Sequence, residues 1–317
     1  MALPIPWWRN KALIPWLVQA VFGLAVLVVV CWLASNLVRN LGNAGLLLSW
    51  RWLGTPAGFD LGESPIGFVA SQPYWLALVS GLLNSLRVIV AGLVGATCLG
   101  TAIGIASFSS NTLLRQLARL DVELIRNIPL LLQLLFWYFV VFLSLPDGPG
   151  ALQLPGMVLA KSGLVLGQPV LQNGSWSGAV QLSIEFMALF TGLVIYTSAF
   201  IAEVVRGGVL AVPPGQWEAA RSLGLKPRQI LGHIVLPQAL RVILPGLNNQ
   251  YISLAKNSSL AVAVGYSDLY SVAETTLNQT GRGVEVVLIL LGSYLLIDLL
   301  ISALMNGLNH LVQRRER

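Results

Sequence analysis

Six long apolar runs dominate this sequence and constrain its fold more than any other feature. Crossing the hydrocarbon core of a membrane takes about 20 predominantly apolar residues in a helix, because no water is present there to satisfy the backbone. The sequence therefore predicts an all-α polytopic membrane protein with about six transmembrane helices. The runs cover residues 16–38, 76–107, 127–145, 180–202, 238–264 and 284–308.

The composition excludes a soluble protein. Of the 317 residues, 56% are hydrophobic and only 10% are charged, and the mean hydropathy is +0.75. A soluble domain carries about 25% charged residues. The pI near 9.6 would fit a nucleic-acid partner, but the basic residues stand in short stretches between apolar runs and form no common face. We expect a protein embedded in lipid that binds no nucleic acid.

Cysteine and histidine give no sign of a disulfide or a metal site. Cys31 and Cys98 lie in separate apolar runs, where cysteine behaves as a small hydrophobic residue. The two histidines, His233 and His310, do not provide metal-ligand spacing with either cysteine. We expect no metal and no cofactor in this chain.

The first apolar run has two interpretations. It follows Arg9 and Lys11, and a basic start is also typical of a signal peptide. The run is longer than the apolar region of about 7–15 residues in a signal peptide, and no small-x-small cleavage site closes it. We expect a retained anchor helix.

Lysine and arginine concentrate on one side of the predicted topology. Six spans place both termini on the same side, which holds thirteen basic residues against four on the other. Cytoplasmic loops carry the excess of Lys and Arg, so both termini are predicted to be cytoplasmic. The fifth span is the weakest, because Pro245 and Asn248-Asn249 interrupt it. Omitting it would place the basic C-terminal tail outside, so the charge distribution also favours six spans.

Two segments between spans, 39–74 and 146–178, are rich in Gly, Pro, Trp, Ser and Asn and contain few charges. We expect them to be periplasmic connections, ordered in part by turns such as Pro146-Asp147-Gly148. The predicted organisation is an N-terminal anchor helix with the first periplasmic loop (1–74), followed by a core of five spans (75–317).

The longest cytoplasmic loop, 203–241, has specific helix signals. Pro213-Pro214 and Gly224 are placed to begin and end a helix of two to three turns. Leu225-Lys226-Pro227 predicts a turn, after which a second short helix runs to Leu236, and Pro237 opens the next span. Two short amphipathic helices of this kind suit docking into a groove of a soluble partner.

The same segment resembles a known motif. Glu218-Ala219-Ala220, three residues, Gly224, nine residues and Ile234-Val235-Leu236-Pro237 match the EAA loop of binding-protein-dependent ABC importer permeases at every fixed position. An ordinary amphipathic loop would explain the helices but not this spacing. The resemblance implies that residues 213–237 dock into a cleft of a separate ATPase subunit and couple its movement to transport. The implied docking residues are Glu218, Ala219, Ala220, Arg221 and Gly224, although Arg221 is equally compatible with a solvated cytoplasmic charge.

Further segments resemble the polar amino-acid branch of these permeases: 84–87, 123–129, 196–206, 214–220, 236–241 and 256–260. The extra first span and the enlarged loop at 146–178 resemble the general L-amino-acid branch. The resemblance implies a type I ABC importer permease fold in the bacterial inner membrane, forming half of an amino-acid pathway. The implied partners are a paralogous permease subunit, a cytoplasmic ATPase dimer that binds ATP and Mg, and a periplasmic amino-acid-binding protein.

Polar residues at membrane depth are candidates for the pathway, because they are costly there. Lys256, with its neighbouring hydroxyls, could bind the carboxylate of a substrate, or it could snorkel or pair with an acid. Arg87 is a pathway cation or a snorkelling residue at the outer surface. Interhelical hydrogen bonding explains the remaining candidates equally well. The pathway candidates are Arg87, Tyr196, Ser198, Asn248, Tyr251, Lys256 and Ser258.

Two other functions remain open at this point. A secondary transporter driven by an ion gradient would be expected to show inverted repeats and intramembrane acids; the sequence shows no repeat, and Glu185 and Asp298 are the candidate deep acids. A membrane subunit without transport activity would not need the EAA spacing. The chain has no G-x-x-x-x-G-K-[ST] phosphate loop and no nucleophile-and-base pattern, so we expect a transport subunit rather than an enzyme.

Overall fold

The computed structural model describes residues 13–43, 45, 48–172 and 174–314, and most of them are helical. The chain divides into two compact units, Met1–Arg51 and Trp52–Arg317. The helices are α1 (Leu13–Asn43), α2 (Tyr74–Ala106), α3 (Thr112–Asn127), α4 (Leu130–Leu135), α5 (Ile184–Leu210), α6 (Pro214–Ser222), α7 (Pro227–Gln229), α8 (Leu236–Asn257), α9 (Leu269–Thr280) and α10 (Gly283–Arg314).

Helix α1 is the main element of the first unit. It has 31 residues, about 46 Å of helix at 1.5 Å per residue, which exceeds the hydrocarbon thickness of about 30 Å. Apolar side chains surround it on all sides from Ile14 to Val38. A helix that is hydrophobic all round is suited to lipid, which agrees with the predicted anchor.

The prediction of about six spans is confirmed. Five helical stretches of the described chain are long and apolar enough to cross a membrane, and a bent pair of helices makes the sixth. The predicted sixth span, 284–308, lies within α10. The five stretches are Ile14–Asn43, Tyr74–Ala106, Ile184–Leu210, Pro227–Val264 and Gly283–Gln313.

The third span differs from the predicted one at 127–145. Its helical part is α4 followed by a π-helical segment, Phe136–Phe142, and at six and seven residues the two give only about 20 Å of helix. Helix α3 precedes it at an angle of 104°. The break is caused by Pro129, because the residue before a proline is pushed into extended backbone, as Ile128 is.

The fifth span begins earlier than predicted. Residues 227–264 form one helical stretch, in which a π-helical segment, Ile230–Val235, leads from α7 directly into α8. The prediction of a separate short helix that ends at Leu236 is therefore wrong. Pro237 lies in the first turn of α8, directly after the π-helical segment, to which it cannot donate a backbone hydrogen bond. Pro245 lies inside α8 without ending it.

Glycines on α2 allow α5 to approach closely. A Cβ atom added to Gly100 would lie 2.6 Å from the carbonyl oxygen of Ser198, and one on Gly104 would lie 2.9 Å from that of Ala202. Gly95 meets Val194 in the same way. Small residues at such contacts are the usual means of packing helices in membranes. The α2–α5 pair is accordingly the centre of the second unit.

The segment between the third span and α5 folds as a small sheet, which the sequence analysis missed. Six strands of three or four residues are too short to show a reliable alternation of apolar and polar residues. Four of them form an antiparallel sheet in the order β1-β2-β3-β6, and β4 pairs with β5. The strands are β1 (Leu152–Leu154), β2 (Met157–Ala160), β3 (Gly163–Leu166), β4 (Val170–Gln172), β5 (Ser175–Ser177) and β6 (Val180–Leu182).

Residues 52–73 pack on the start of α2. The buried side chains of Trp52, Ala57 and Phe68 share an apolar cluster with Tyr74 of α2 and with Leu269 of α9. The second compact unit therefore begins at Trp52. The predicted division at 74/75 described the extent of the permease core and remains a prediction.

Candidate functional site

Helix α6 forms the centre of the predicted coupling segment, residues 213–237. Pro213 is its N-cap and Pro214 its first residue, a position where the fixed φ of proline suits a helix. Helix α5 ends at Leu210, so α6 follows the inner end of that span after only three residues. The helix is therefore held close to the membrane-spanning bundle.

Gly224 ends α6 in the way that the sequence predicts. Its φ is +74°, in the left-handed region. The N–H of Gly224 donates to the carbonyl of Arg221 at 2.9 Å, and the N–H of Leu225 donates to that of Ala220 at 3.2 Å. These two bonds form a Schellman motif, for which glycine is the preferred residue because it lacks a Cβ. The turn into α7 therefore depends on the glycine at this position.

The exposed surface of α6 carries most of the predicted docking residues. Glu218, Ala219 and Arg221 are exposed, as is Gly224. The Glu218 carboxylate and the Arg221 guanidinium have no partner within the described part of the chain. Ala220 differs from the expectation, since only 3% of it is exposed. Its side chain packs into the apolar cluster beneath α6 and is not exposed on the surface of the helix.

Leu223 is a candidate docking residue that the sequence analysis missed. It is 80% exposed, more than any other large apolar side chain for which the structure gives a value. It lies directly before Gly224, at the tip of the hairpin formed by α6 and α7. A single exposed leucine is a normal surface feature, but one between an EAA pattern and its glycine is placed to enter a pocket of a partner. The signal available in the sequence was a leucine directly before Gly224.

Buried apolar residues join α6 to two spans. Ala220 belongs to one core cluster with Val209 at the end of α5 and with Ile230 and Val235 of the π-helical segment. Trp217 packs against the same cluster. Since residues 227–264 form one helical stretch, α6 is joined to α5 and α8 by packed side chains rather than by a loose loop.

Arg87 lies at the outer end of α2 and is held by contacts with Glu63 and Phe186. Its Nη1 atom is 2.6 Å from Oε1 of Glu63, and its guanidinium lies 5.5 Å from the centre of the Phe186 ring. The other oxygen of Glu63 accepts a hydrogen bond from Ser183 at 2.8 Å. Glu63 therefore joins the segment before α2, α2 itself and the start of α5. A structural ion pair accounts for Arg87 in this conformation.

Lys256 pairs with an acid, one of the alternatives that the sequence left open. Its Nζ atom is 3.5 Å from Oδ2 of Asp298 on α10, and its side chain remains 62% exposed. The other oxygen of Asp298 is buried and has no hydrogen-bond partner within the described residues. Lys256 also lines a pocket of about 400 Å³ with Tyr270 and Tyr294. The ammonium thus stays accessible on one side.

Other predicted pathway residues are occupied in helix contacts. The hydroxyls of Ser198 and Ser258 are buried and donate to carbonyls of their own helices, those of Ile195 and Ala255. Tyr251 shares a 2.8 Å hydrogen bond with Thr97, which links α8 to α2.

Tyr196 and Asn248 complete the predicted set. The ring of Tyr196 lies 4.9 Å from that of Phe200. Asn248 keeps a buried side-chain oxygen that has no partner in the described chain. The structure does not gather the seven pathway candidates into one pocket, since Arg87 and Lys256 line separate ones.

A buried polar cluster at the outer end was missed. The amide of Asn84 donates to the carbonyls of Glu63 and Ser267, each at 2.8 Å. Asp268, which is fully buried, caps α9 by accepting from the N–H of Ser271 at 2.8 Å. Burial raises the pKa of Asp268 to about 7 from an ordinary value of 3.8, although its backbone hydrogen bonds oppose the shift. The cluster ties together segments that lie far apart in the sequence.

The inner end of α5 holds an ion pair of Glu203 and Arg206. Nε of Arg206 donates to Oε2 of Glu203 at 3.0 Å. Among the described residues no group of three His, Cys, Asp or Glu side chains is arranged to hold a metal ion.

Comparison with known proteins decides the family. Residues 96–317 match the model of the binding-protein-dependent transport system inner membrane component. The chain belongs to this family. It is therefore a multi-pass inner-membrane component of a transport system.

Similar proteins cover nearly the whole chain. A putative amino-acid ABC transporter permease protein of Escherichia coli, YhdX, is 37% identical, and the match covers 97% of this chain and 96% of that protein. The general L-amino acid transport system permease protein AapQ of Rhizobium johnstonii is 36% identical, over 88% and 87% of the two chains. The permease BztB of a glutamate/glutamine/aspartate/asparagine transport system in Rhodobacter capsulatus is 33% identical over 95% and 94%.

Solved structures match the helical core. The crystal structure of an amino acid ABC transporter with histidines has 27% identity and a TM-score of 0.58, covering 75% of this chain and 94% of that one. The MetNI methionine ABC transporter in an inward-facing conformation shares the fold at 20% identity and a TM-score of 0.56, over 75% and 96%. This chain accordingly has the type I ABC importer permease fold. None of these matches supports a secondary transporter.

Proposed function

We propose that this chain is the permease subunit of an ATP-driven amino-acid importer, that it forms half of the translocation pathway, and that α6 couples the pathway to a separate ATPase. The observation that carries the proposal is the construction of the coupling segment. Glu218, Arg221 and Leu223 are exposed, while Ala220 and Trp217 belong to the apolar cluster that joins α6 to the ends of α5 and α8. A surface built in this way receives a displacement from a partner and passes it to two spans.

The partner subunits follow from this arrangement and from the relatives. A cytoplasmic ATPase dimer would bind ATP and Mg, since this chain has no phosphate loop. Its closure would be transmitted through α6 and would open the pathway outward, and a periplasmic binding protein would deliver the substrate. Coupling of this kind requires that nucleotide favours one of two conformations of the permease. We further propose that the second permease subunit is a paralogue of this chain.

Amino acids are the substrate class that we propose, because the relatives named above are permeases of general and acidic or amide amino-acid systems. Their breadth favours a broad substrate range. Reconstitution with the partner subunits, followed by competition of labelled-glutamine uptake by each of the twenty amino acids, measures this range. Inhibition by several chemically different amino acids is expected, and inhibition by none of them would contradict the substrate class.

The coupling role is tested by charge at the tip of α6. Leu223→Asp places a carboxylate where an apolar contact is proposed, and truncating a central interface residue costs about 2 kcal/mol or more, more than tenfold in affinity. The variant should remain in the membrane, lose the ATPase on purification in mild detergent and lose ATP-driven uptake. Lys161→Glu, an exposed charge change in the outer sheet, is the matched control and should keep the ATPase.

The uptake and copurification measurements also distinguish the proposed function from the alternatives. Uptake that persists without ATP and stops with an uncoupler would support a secondary transporter. Full retention of the ATPase by Leu223→Asp and by Glu218→Lys would contradict the proposed docking surface. A tagged copy that purifies with an untagged copy of the same chain, instead of with a paralogue, would contradict the heterodimer.

A further inference from the structure

Helix α3 has properties that neither a membrane span nor a buried helix shares. Its sixteen residues follow α2 at the inner end of the bundle. Charges at membrane depth are costly, so a helix with five of them is not expected to cross the hydrocarbon. Its axis also turns by 104° relative to Leu130–Phe142, the third span. The charged residues are Arg115, Arg119, Asp121, Glu123 and Arg126.

One side of α3 is an exposed stripe of leucines. The leucine stripe consists of Leu113, Leu117, Leu120 and Leu124, which follow one another at intervals of four, three and four residues. At 3.6 residues per turn, this spacing places all four side chains on a single face. Each of the four is more than half exposed, so nothing in the described chain covers the stripe.

A second side of α3 faces the protein. Ala118 is buried, and Val122 and Ile125 are partly buried, where α3 packs against α5 and α2. A third side is polar and exposed, with Gln116, Arg119 and Glu123. These three sides follow one another around the helix. A helix with one face on protein, one apolar and one polar matches the boundary where a bilayer, a protein and water meet.

We infer that α3 lies in the plane of the membrane at its cytoplasmic surface, with the leucine stripe inserted among lipid acyl chains. The inner position follows from its packing beside Gly104 and Arg206, at the same end of the bundle as α6. Amphipathic helices with a strongly polar face and a leucine-rich face bind membranes in this orientation. Nothing in this placement depends on the coupling role of α6.

Lipid fits the stripe better than a second protein does. Helix contacts inside this protein are made by small residues such as Gly95 and Gly100 on α2, and small residues are typical of membrane helix interfaces. The stripe contains only leucine. Exposed apolar side chains also follow directly beyond the bend, those of Leu131 and Leu132. Asp121, which lies between the stripe and the protein-facing side, is half-buried rather than exposed.

The charge of α3 predicts the kind of lipid interaction. Three arginines and two acids give a net charge of +1, so attraction to anionic headgroups is weak. Arg115 is held by the carbonyl of Ser109 at 3.1 Å, and Arg126 lies 5.1 Å from the centre of the Phe200 ring. These arginines face the protein side. Insertion is therefore expected to depend on the leucines and to persist in a bilayer without anionic lipid.

Site-directed spin labelling of the assembled transporter tests this placement. Cys31 and Cys98 are replaced by alanine, and single cysteines are introduced at Leu113, Leu117, Leu120 and Leu124, with Gln116, Arg119 and Glu123 as matched control positions on the same helix. The complex is reconstituted in phosphatidylcholine vesicles. Collision with oxygen, which partitions into lipid, and with a water-soluble nickel chelate is then measured at each site.

The expected result is a helical period in both measurements. Labels on the leucine stripe should collide frequently with oxygen and rarely with the nickel chelate, and the control positions should show the opposite. Immobile labels on the stripe with little access to either reagent would show a protein partner there and would overturn the inference. Frequent collision with the nickel chelate would show exposure to water and would overturn it as well. Quenching of a fluorophore at Leu120→Cys by brominated lipid provides an independent measurement of the same contact.

Discussion

At the scale of single residues, Gly224 shows most directly how one backbone conformation shapes the coupling segment. Its φ of +74° allows the two hydrogen bonds that end α6, and a Cβ atom added there would meet no other group within 4 Å. The cost of replacing it is therefore conformational and not steric. A left-handed conformation costs an L-residue about 1–2 kcal/mol.

We predict that Gly224→Ala lowers the number of amino acids transported per ATP hydrolysed, because the α6–α7 turn is no longer held in one conformation. Gly224→Asn should retain more coupling, since asparagine tolerates this region better. Gly215→Ala is the control, because Gly215 has an ordinary φ and free space around it. Equal coupling in Gly224→Ala and in Gly215→Ala would show that the turn does not matter.

Asp268 gives a prediction about pH. Its carboxyl has a pKa of about 7 in the folded protein against 3.8 ordinarily. Between about pH 4 and pH 7 the unfolded chain has lost this proton while the folded protein retains it. The contribution of Asp268 to stability therefore falls as the pH rises through that window, by at most about 1.4 kcal/mol per pH unit.

Asp268→Asn should remove this dependence and preserve the cap of α9, since asparagine is an equally good N-cap. Thermal unfolding of both proteins in detergent at a series of pH values between 4.5 and 8 measures the difference. We expect the unfolding temperature of the variant to rise relative to that of the wild type as the pH increases. A constant difference across the series would mean that the carboxyl does not titrate there.

At the scale of elements, the contact of α2 with α5 depends on close approach. Gly100→Ala would bring a methyl group 2.6 Å from the carbonyl oxygen of Ser198 and 2.7 Å from Cβ of Ile201. Alanine is otherwise favoured over glycine in a helix by about 1 kcal/mol. We predict that Gly100→Ala lowers the unfolding temperature in detergent, whereas Gly292→Ala, which meets nothing within 4 Å, does not. A lower unfolding temperature for both, or for neither, would contradict the packing account.

The elements differ in how far the sequence predicts them. Long apolar runs specify α1, α2, α5 and α10, because lipid demands a helix and little else forms there. The third span is shorter than the predicted 127–145, and hydropathy does not register the bend at Pro129. The short strands between 152 and 182 were missed because three or four residues carry no reliable period.

The candidate sites likewise contain features that the sequence predicts and features that it does not. Local signals placed the ends of α6 and the turn at Gly224, since proline and glycine act on their own backbone. The ion pair of Arg87 joins residues that are 24 positions apart, and the bond of Asn84 to Ser267 joins residues 183 positions apart. Such partners follow from the tertiary fold, and one sequence does not reveal them.

At the scale of the whole molecule, the second compact unit has distinct ends. Its outer end is tied by buried polar bonds around Asn84 and Asp268, and its inner end carries α6 on an apolar cluster shared with α5 and α8. The α2–α5 contact joins the two ends. Coupling through this unit requires that a displacement enters at α6, and α6 must therefore contact an ATPase.

Crosslinking from the tip of α6 tests whether α6 contacts the ATPase. In a chain without Cys31 and Cys98, Leu223→Cys is reacted with a short thiol-to-amine crosslinker in the reconstituted complex, and Lys161→Cys on the outer sheet serves as the control. We expect a product of this chain with the ATPase subunit from position 223, in an amount that changes on addition of ATP, and none from position 161. No such product from position 223 in a complex that still transports would contradict the account.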